Sequence, residues 1–266
     1  MTDSVVVCKQ DNGVATISLN VPDKHNAFDD RIIAELTDAF QAVGGDRAIR
    51  IVVLAASGKS FSAGGDLQWM KRMANYSLQD NLADARALAS MLKTLNDLPK
   101  PTIARVQGAA FGGAVGLVSC CDFVVASSNA SFCLSEVKVG LVPATIAPYV
   151  IAAIGQRASR RYFLSAERFS ALNAERLGLV SEVVDPEQLD QAVNRFINNL
   201  LGNGPAAMAA AKSLIANVAD RAVTTELIEH TCALIAEIRV SEEGQEGLSA
   251  FLEKRPAAWI SENPED

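Results

Sequence analysis

Two short runs of β-branched and small apolar residues, each emptying into a glycine-rich loop, restrict this 266-residue chain more than any other feature. Ile51–Ala56 is apolar on both faces, which suits a strand covered by helices above and below. Residues 57–66 follow it and contain Phe61-Ser62-Ala63-Gly64-Gly65-Asp66. Thr102–Val106 repeats the arrangement, with residues 107–114 ending in Phe111-Gly112-Gly113-Ala114, and residues 123–126 make a third buried strand. Strand, glycine loop and helix in this order predict a layered α/β fold in which loops at strand ends build a site.

The flanks are read by periodicity. Residues 5–9 and Val14–Leu19 form a hairpin about Asp11-Asn12-Gly13, whose Asn-Gly pair accepts positive backbone dihedrals. Asp29 or Asp30 caps a helix that presents Ile32, Ile33, Leu36, Phe40 and Val43 on one face and ends at Gly44-Gly45. Residues 82–98 form a long amphipathic helix. Beyond Val183-Val184 only helical spacing remains, over Leu189–Leu201, 206–216, Thr225–Val240 and 244–251. A tail so rich in Ala and Leu is expected to pack on its own core or on a neighbouring subunit.

Several function classes are disfavoured at this stage. The longest apolar stretch, residues 139–154, is broken by Pro143 and Pro148 and is shorter than the roughly 20 residues of a membrane span, so it is expected inside the protein core. A net charge of −7 argues against binding nucleic-acid phosphates or an anionic membrane. Cys8, Cys120, Cys121, Cys133 and Cys232 are odd in number, are expected in mostly apolar surroundings, lack a C-x-x-C pair and read as reduced thiols. The start, Met1-Thr2-Asp3-Ser4-Val5, carries neither a basic-then-apolar leader nor an Arg-rich amphipathic one, so a cytoplasmic location is expected.

Histidine chemistry has little material, since His25 and His230 are the only two. His25 reads as a turn or ligand-side loop residue and His230 as a structural one. No G-x-x-x-x-G-K-[ST] loop occurs, and Gly108, Gly112 and Gly113 lack dinucleotide-fingerprint spacing, which leaves phosphate-loop and nicotinamide chemistry unsupported. The paired glycine loops say more. Each removes side chains where a strand ends and lets backbone N–H groups approach a ligand, and two such groups aimed at one oxygen form an oxyanion hole.

Further pieces stand in register with these: Pro22-Asp23-Lys24-His25-Asn26-Ala27, Lys100-Pro101-Thr102-Ile103-Ala104, Gly108-Ala109-Ala110-Phe111-Gly112-Gly113, Leu134-Ser135-Glu136-Val137, Gly140-Leu141-Val142-Pro143 and Glu246-Gly247-Leu248-Ser249-Ala250-Phe251. Together they make the chain resemble the crotonase (enoyl-CoA hydratase and isomerase) superfamily nearly end to end. The resemblance implies an α/β spiral of ββα units over residues 1–200, carrying a CoA-thioester site. A C-terminal helical trimerisation region over residues 201–266 would follow, assembling the chain as a homotrimer or a hexamer.

The same resemblance implies that the N–H groups of Gly65 and Gly113 hold the thioester oxygen while an enolate forms. Losing one such donor costs on the order of 3 kcal/mol in a comparable oxyanion site. Hydratases of this superfamily usually carry two glutamates. Here the first position is Gly116, and the second is Glu136, the one acid/base candidate. Apolar neighbours Leu134, Val137 and Val139 should raise its pKa toward the range useful for moving a proton to carbon. Such a lone carboxyl suits either hydration or the proton shuttle of an enoyl-CoA isomerase.

By resemblance the CoA-binding set is Lys24, Ala27, Ala63, Gly64, Asp66 and Leu67, with Phe251 and Lys254 reaching over from a neighbouring subunit. Coenzyme A enters as the substrate's thioester; no metal and no permanently bound cofactor is implied. The texture around Asp66-Leu67-Gln68-Trp69-Met70 and Arg160-Arg161-Tyr162-Phe163-Leu164 is similar to bacterial methylglutaconyl-CoA and carboxygeranoyl-CoA hydratases. Their substrates carry a distal carboxylate, for which Lys71, Arg72, Asn81 and Arg86 are candidates. Trp69 and Met70 are expected to line the acyl pocket or pack the core.

Overall fold

The computed structural model describes Ser4 and residues 6–260. Val5, where the first strand was expected to begin, and Met1-Thr2-Asp3 of the expected leaderless start lie outside the described residues. Strand β1 (Val6–Asp11) pairs antiparallel with β2 (Val14–Leu19), Asp11 opposite Val14, around Asn12 at φ 45° and Gly13 at φ 77°. These two positive dihedrals are the ones a tight two-residue hairpin demands. Strands β3 (Ile51–Ala56), β4 (Thr102–Val106), β6 (Phe123–Ser127) and β9 (Glu182–Val184) then add in parallel, giving the order β1-β2-β3-β4-β6-β9.

Burial explains the apolar runs. On β3, Val52 and Leu54 enter the main core, while Ile51 and Val53 face a second cluster that includes Ile103, Val125 and, from helix α7 (Leu189–Leu201), Leu189, Ala192 and Val193. Helix α1 (Asp30–Gly45) is capped by Asp29, whose carboxylate accepts from Ile32 N at 2.9 Å, and buries the five residues its spacing predicts.

A second, smaller sheet crosses the first. Strand β5 (Ala109–Phe111) runs parallel to β7 (Ser131–Cys133), which pairs antiparallel with β8 (Phe169–Ser170). Single bridges, Phe28 to Gly65 and Ser62 to Ala110, carry this layer back toward the N-terminus. Each turn of chain therefore lays down a long strand, a short crossing segment and a helix, and the turns stack as a spiral. The helices are α2 (Leu67–Met73), α3 (Leu78–Asn96), α4 (Gly113–Cys120), α5 (Ala147–Ser165) and α6 (Ala171–Arg176), with α7, α8 (Pro205–Val218), α9 (Thr225–Val240) and α10 (Glu242–Glu253) closing the chain. Arg50, at the root of β3, donates to the carbonyls of Leu201, Asn203 and Trp259 and so holds the helical tail at both ends.

Three expectations are corrected. The third helix begins at Leu78, not at 82, because Ser77 and Asp80 form a reciprocal capping box there. Of residues 139–154, only the part from Ile146 onward supplies core: Ile146, Val150 and Ile154 are buried, whereas Val139, Leu141 and Val142 are exposed. Gly140, at φ 76°, ends a short 3₁₀ turn and sends the chain along the surface before α5 starts. Finally, Cys8 and Cys232 are exposed and not set in apolar surroundings, although all five cysteines are free thiols. Among the described residues no helix is long and apolar enough to cross a membrane.

Candidate active site

The site grows from a contact between two backbones. Gly64 has φ 97°, and a Cβ placed on it would stand 3.4 Å from Phe111 O. Gly112 has φ 55°, and a Cβ there would lie 3.9 Å from Gly64 Cα and 3.3 Å from Glu136 Oε1. Only glycine adopts these dihedrals at little cost and leaves this room. Phe28 joins the loops: its N–H donates to Gly64 O and its carbonyl accepts from Asp66 N, both at 2.7 Å. Its ring would meet a Gly113 Cβ at 3.1 Å.

This pairing turns the N–H of Gly65 away from Phe28, on an exposed residue. Gly113 opens α4, where a first-turn N–H has no acceptor within the helix. Among the described residues neither N–H has a hydrogen-bond acceptor. The structure thus leaves two main-chain donors free on loops that touch, one of them at a helix start that favours negative charge.

Glu136 supplies the titrating group. Gly112 N donates to Cys133 O at 2.8 Å, which fixes β7 against the glycine loop, and the chain turns into a short helix at Glu136 three residues later. The carboxyl is largely buried, and its Oε2 has no hydrogen-bond partner among the described residues. Burial pushes its pKa up, and a bond from its own backbone N–H offsets this only in part. The expected direction holds, but Val139 contributes little to it, since that side chain is 60% exposed. Gly116 is buried one turn into α4; a Cβ there would fall 2.3 Å from Ile146 Cγ2 and 3.4 Å from Leu92 Cδ2.

The remaining candidates divide. Lys24 Nζ lies 3.2 Å from Asp66 Oδ2, and Asp66 caps α2 by accepting from Trp69 N and Gln68 N. These bonds, led by the one from Trp69, hold the Asp66 carboxyl below its usual range. Ala27 N donates to Lys24 O at 3.1 Å and Ala63 N to His25 O at 3.0 Å, while Gly64 lies on the first glycine loop and Leu67 opens α2. Trp69 and Met70 border Gly65, whose Cβ would sit 3.8 Å from the indole and 3.5 Å from Met70 Cγ. Phe251 and Lys254 stand exposed on and just after α10 and do not join these loops within one chain. Arg72 pairs with Asp30, and Asn81 caps carbonyls of Tyr76 and Ser77, while Lys71 and Arg86 are exposed. His25 is an exposed turn residue at φ 51°, its Nδ1 3.2 Å from Ser60 Oγ, and His230 is exposed on α9.

Sequence reasoning missed two residues here. Asn26, fully buried at φ 53°, accepts from Val21 N and donates to the carbonyls of Ser57 and Ser60, pinning the Lys24 loop to the first glycine loop. Its only signal was a polar residue inside a conspicuous loop. Asp84 accepts the Trp69 indole N–H at 3.1 Å, and burial, aided by Asp30, raises its pKa. Helical spacing alone gave no reason to separate it from surface carboxylates.

The chain is similar to known proteins in both sequence and fold. Residues 9–262 match the family model described as enoyl-CoA hydratase/isomerase. The crystal structure of an enoyl-CoA hydratase from Shewanella pealeana superposes with a TM-score of 0.94 at 49% identity, covering 96% of each chain. The crotonyl-CoA hydratase of Syntrophomonas wolfei is 30% identical over 96% of this chain and 98% of its own. The 2,3-dehydroadipyl-CoA hydratase of Escherichia coli is 30% identical over 95% of this chain and 97% of its own.

Two outcomes follow from these environments. A carboxyl whose folded pKa is raised destabilises the native state once pH exceeds its ordinary value, and has no such effect below it. Glu136→Gln should therefore raise the thermal midpoint relative to wild type at about pH 8 and leave it unchanged at about pH 4. Scanning calorimetry at one protomer concentration measures both. Asn26→Ala should cost about 2–4 kcal/mol through three lost hydrogen bonds and a left-handed backbone, read from urea unfolding.

Proposed function

The chain belongs to the enoyl-CoA hydratase/isomerase family and has its crotonase fold, and from that premise we propose the hydration of 3-methylglutaconyl-CoA to 3-hydroxy-3-methylglutaryl-CoA as its reaction. At the coarser level it is a hydratase, a lyase acting on enoyl-CoA thioesters. One observation carries the mechanism: the Glu136 carboxyl, whose buried Oε2 has no partner among the described residues, lies against the glycine loop that runs into Gly113.

In this reading the thioester oxygen lies between the N–H groups of Gly65 and Gly113. Ionised Glu136 takes a proton from water as the water oxygen bonds to C3, and the π electrons move through C2 onto the thioester oxygen. The enolate then collapses and C2 takes that same proton from Glu136. The hydroxyl stays on C3, so one carboxylate closes the cycle and both additions come from its face. A methyl group on C3 helps that carbon bear positive charge as the C–O bond forms, which lessens the demand for a second base. The relative named for 2,3-dehydroadipyl-CoA offers a precedent for an acyl chain with a distal carboxyl.

Lys24, Ala27, Ala63, Gly64, Asp66 and Leu67 would hold the nucleotide end of coenzyme A, with Phe251 and Lys254 of a neighbouring subunit above it. Residues 201–266 would form the oligomerisation region of a homotrimer or hexamer in the cytoplasm. Exposed Ile228, Ile235, Val240, Leu248, Phe251 and Leu252 support that assignment. A second reading, carbon-to-carbon proton transfer by an isomerase, is favoured by the same lone carboxyl.

Labelled water separates the two. Crotonyl, methylcrotonyl, methylglutaconyl and 3-enoyl thioesters are each incubated in water carrying heavy oxygen and deuterium. Hydration puts one labelled oxygen on C3 and one deuterium on C2, with methylglutaconyl thioester the fastest; isomerisation adds no oxygen. Glu136→Gln should lower kcat roughly 100- to 10,000-fold while thioester affinity stays within a few-fold. Full turnover in that variant ends the proposal. In wild type, kcat/KM should fall as acid protonates Glu136, at a pH above the ordinary carboxylate range because burial raises this group.

A further inference from the structure

We infer that Ile146 is a positioning residue that closes the place where a second carboxyl would enter the site, and that it thereby confines every proton transfer to Glu136. The inference rests on the reading of Glu136 as the acid/base and extends it to a residue on another element.

Gly116 stands one turn after the Gly113 donor, and a helical Cβ leans toward the helix N-terminus. A side chain at 116 would therefore lean back toward Gly112 and Gly113, the stretch Glu136 Oε1 approaches. Ile146 already occupies that ground. Its Cγ2 and Cβ lie 2.3 and 2.8 Å from where a Gly116 Cβ would be, and Leu92 Cδ2 bounds the other side at 3.4 Å. Gly116 and Leu92 are buried and Ile146 is 2% exposed, so no neighbour can yield into solvent.

Glycine is a poor choice inside a helix, and it is explained here only by what packs against it. Ile146 is the residue preceding α5, where the chain enters from the surface stretch of residues 139–142, and its branched side chain has few rotamers to retreat into. The space between α4 and α3 is thus filled by an apolar group from the residue preceding α5 in place of a polar one from α4. A carboxylate beside Glu136 would also oppose its ionisation, which the water-activating step requires.

The test is a swap of side chains across this contact. Gly116→Ala normally favours a helix; here it should lower the thermal midpoint by about 5 °C, and in an Ile146→Gly background it should raise it. Gly116→Glu is made in the Ile146→Gly background, where the side chain has room. Its kcat/KM profile for crotonyl thioester should show two carboxyl ionisations where wild type shows one. An unchanged or raised midpoint for Gly116→Ala in the wild-type background overturns the inference, as does a folded swap variant whose profile keeps one ionisation. Should the swap not fold, the alanine cycle decides alone. Full activity of Glu136→Gln in wild type would instead remove the catalytic premise, a result separable from whether Ile146 fills the space.

Discussion

The close approach of two loops at Gly64 and Gly112 is the constraint on which the rest of the site's geometry depends. Positive φ at both residues turns each loop toward the other, and the crossing sheet holds them in register through Phe28 with Gly65, Ser62 with Ala110 and Phe111 with Cys133. The two free amides and the Glu136 carboxyl are consequences of that contact. A side chain at either glycine would be strained at its positive φ, and one at 112 would also crowd Glu136 Oε1.

Carboxylates near the loops show how environment sorts identical chemistry. Asp66 accepts two backbone N–H bonds and faces Lys24, so its charge is stabilised and it serves as a cap. Glu136 has a buried oxygen with no partner and no nearby cation holding it, and its charged form is correspondingly disfavoured. Asp84 lies between these extremes, shielded from water but held by the Trp69 indole. Of the three, Glu136 is the one whose charge its surroundings support least.

Periodicity made the larger frame legible. The five apolar residues of α1, the doubly buried β3 and the helix at Leu189–Leu201 follow from local pattern, because each buries a continuous face, while the helix at Thr225–Val240 follows from its spacing alone and buries none of its residues within the chain. Strands β5, β7 and β8 have two or three residues each and exist only through partners distant in sequence, so no local pattern announces them. Helix α4 is apolar all round and lacks an amphipathic signature. The roles given to Gly65, Gly113 and Glu136 came from family resemblance, whereas Asn26 and Ile146 emerge only when loops and helices far apart in the chain are brought together.

The guanidinium of Arg50 has a mechanical corollary. It grips the carbonyls of Leu201 and Asn203 where the helical tail departs and that of Trp259 where it returns, so both feet of the tail rest on one side chain. The next residue along begins β3, a stiff rod of six residues whose far end runs into the loop bearing Gly65. The placement of the tail and the strand that leads to the Gly65 loop are thus joined at a single arginine.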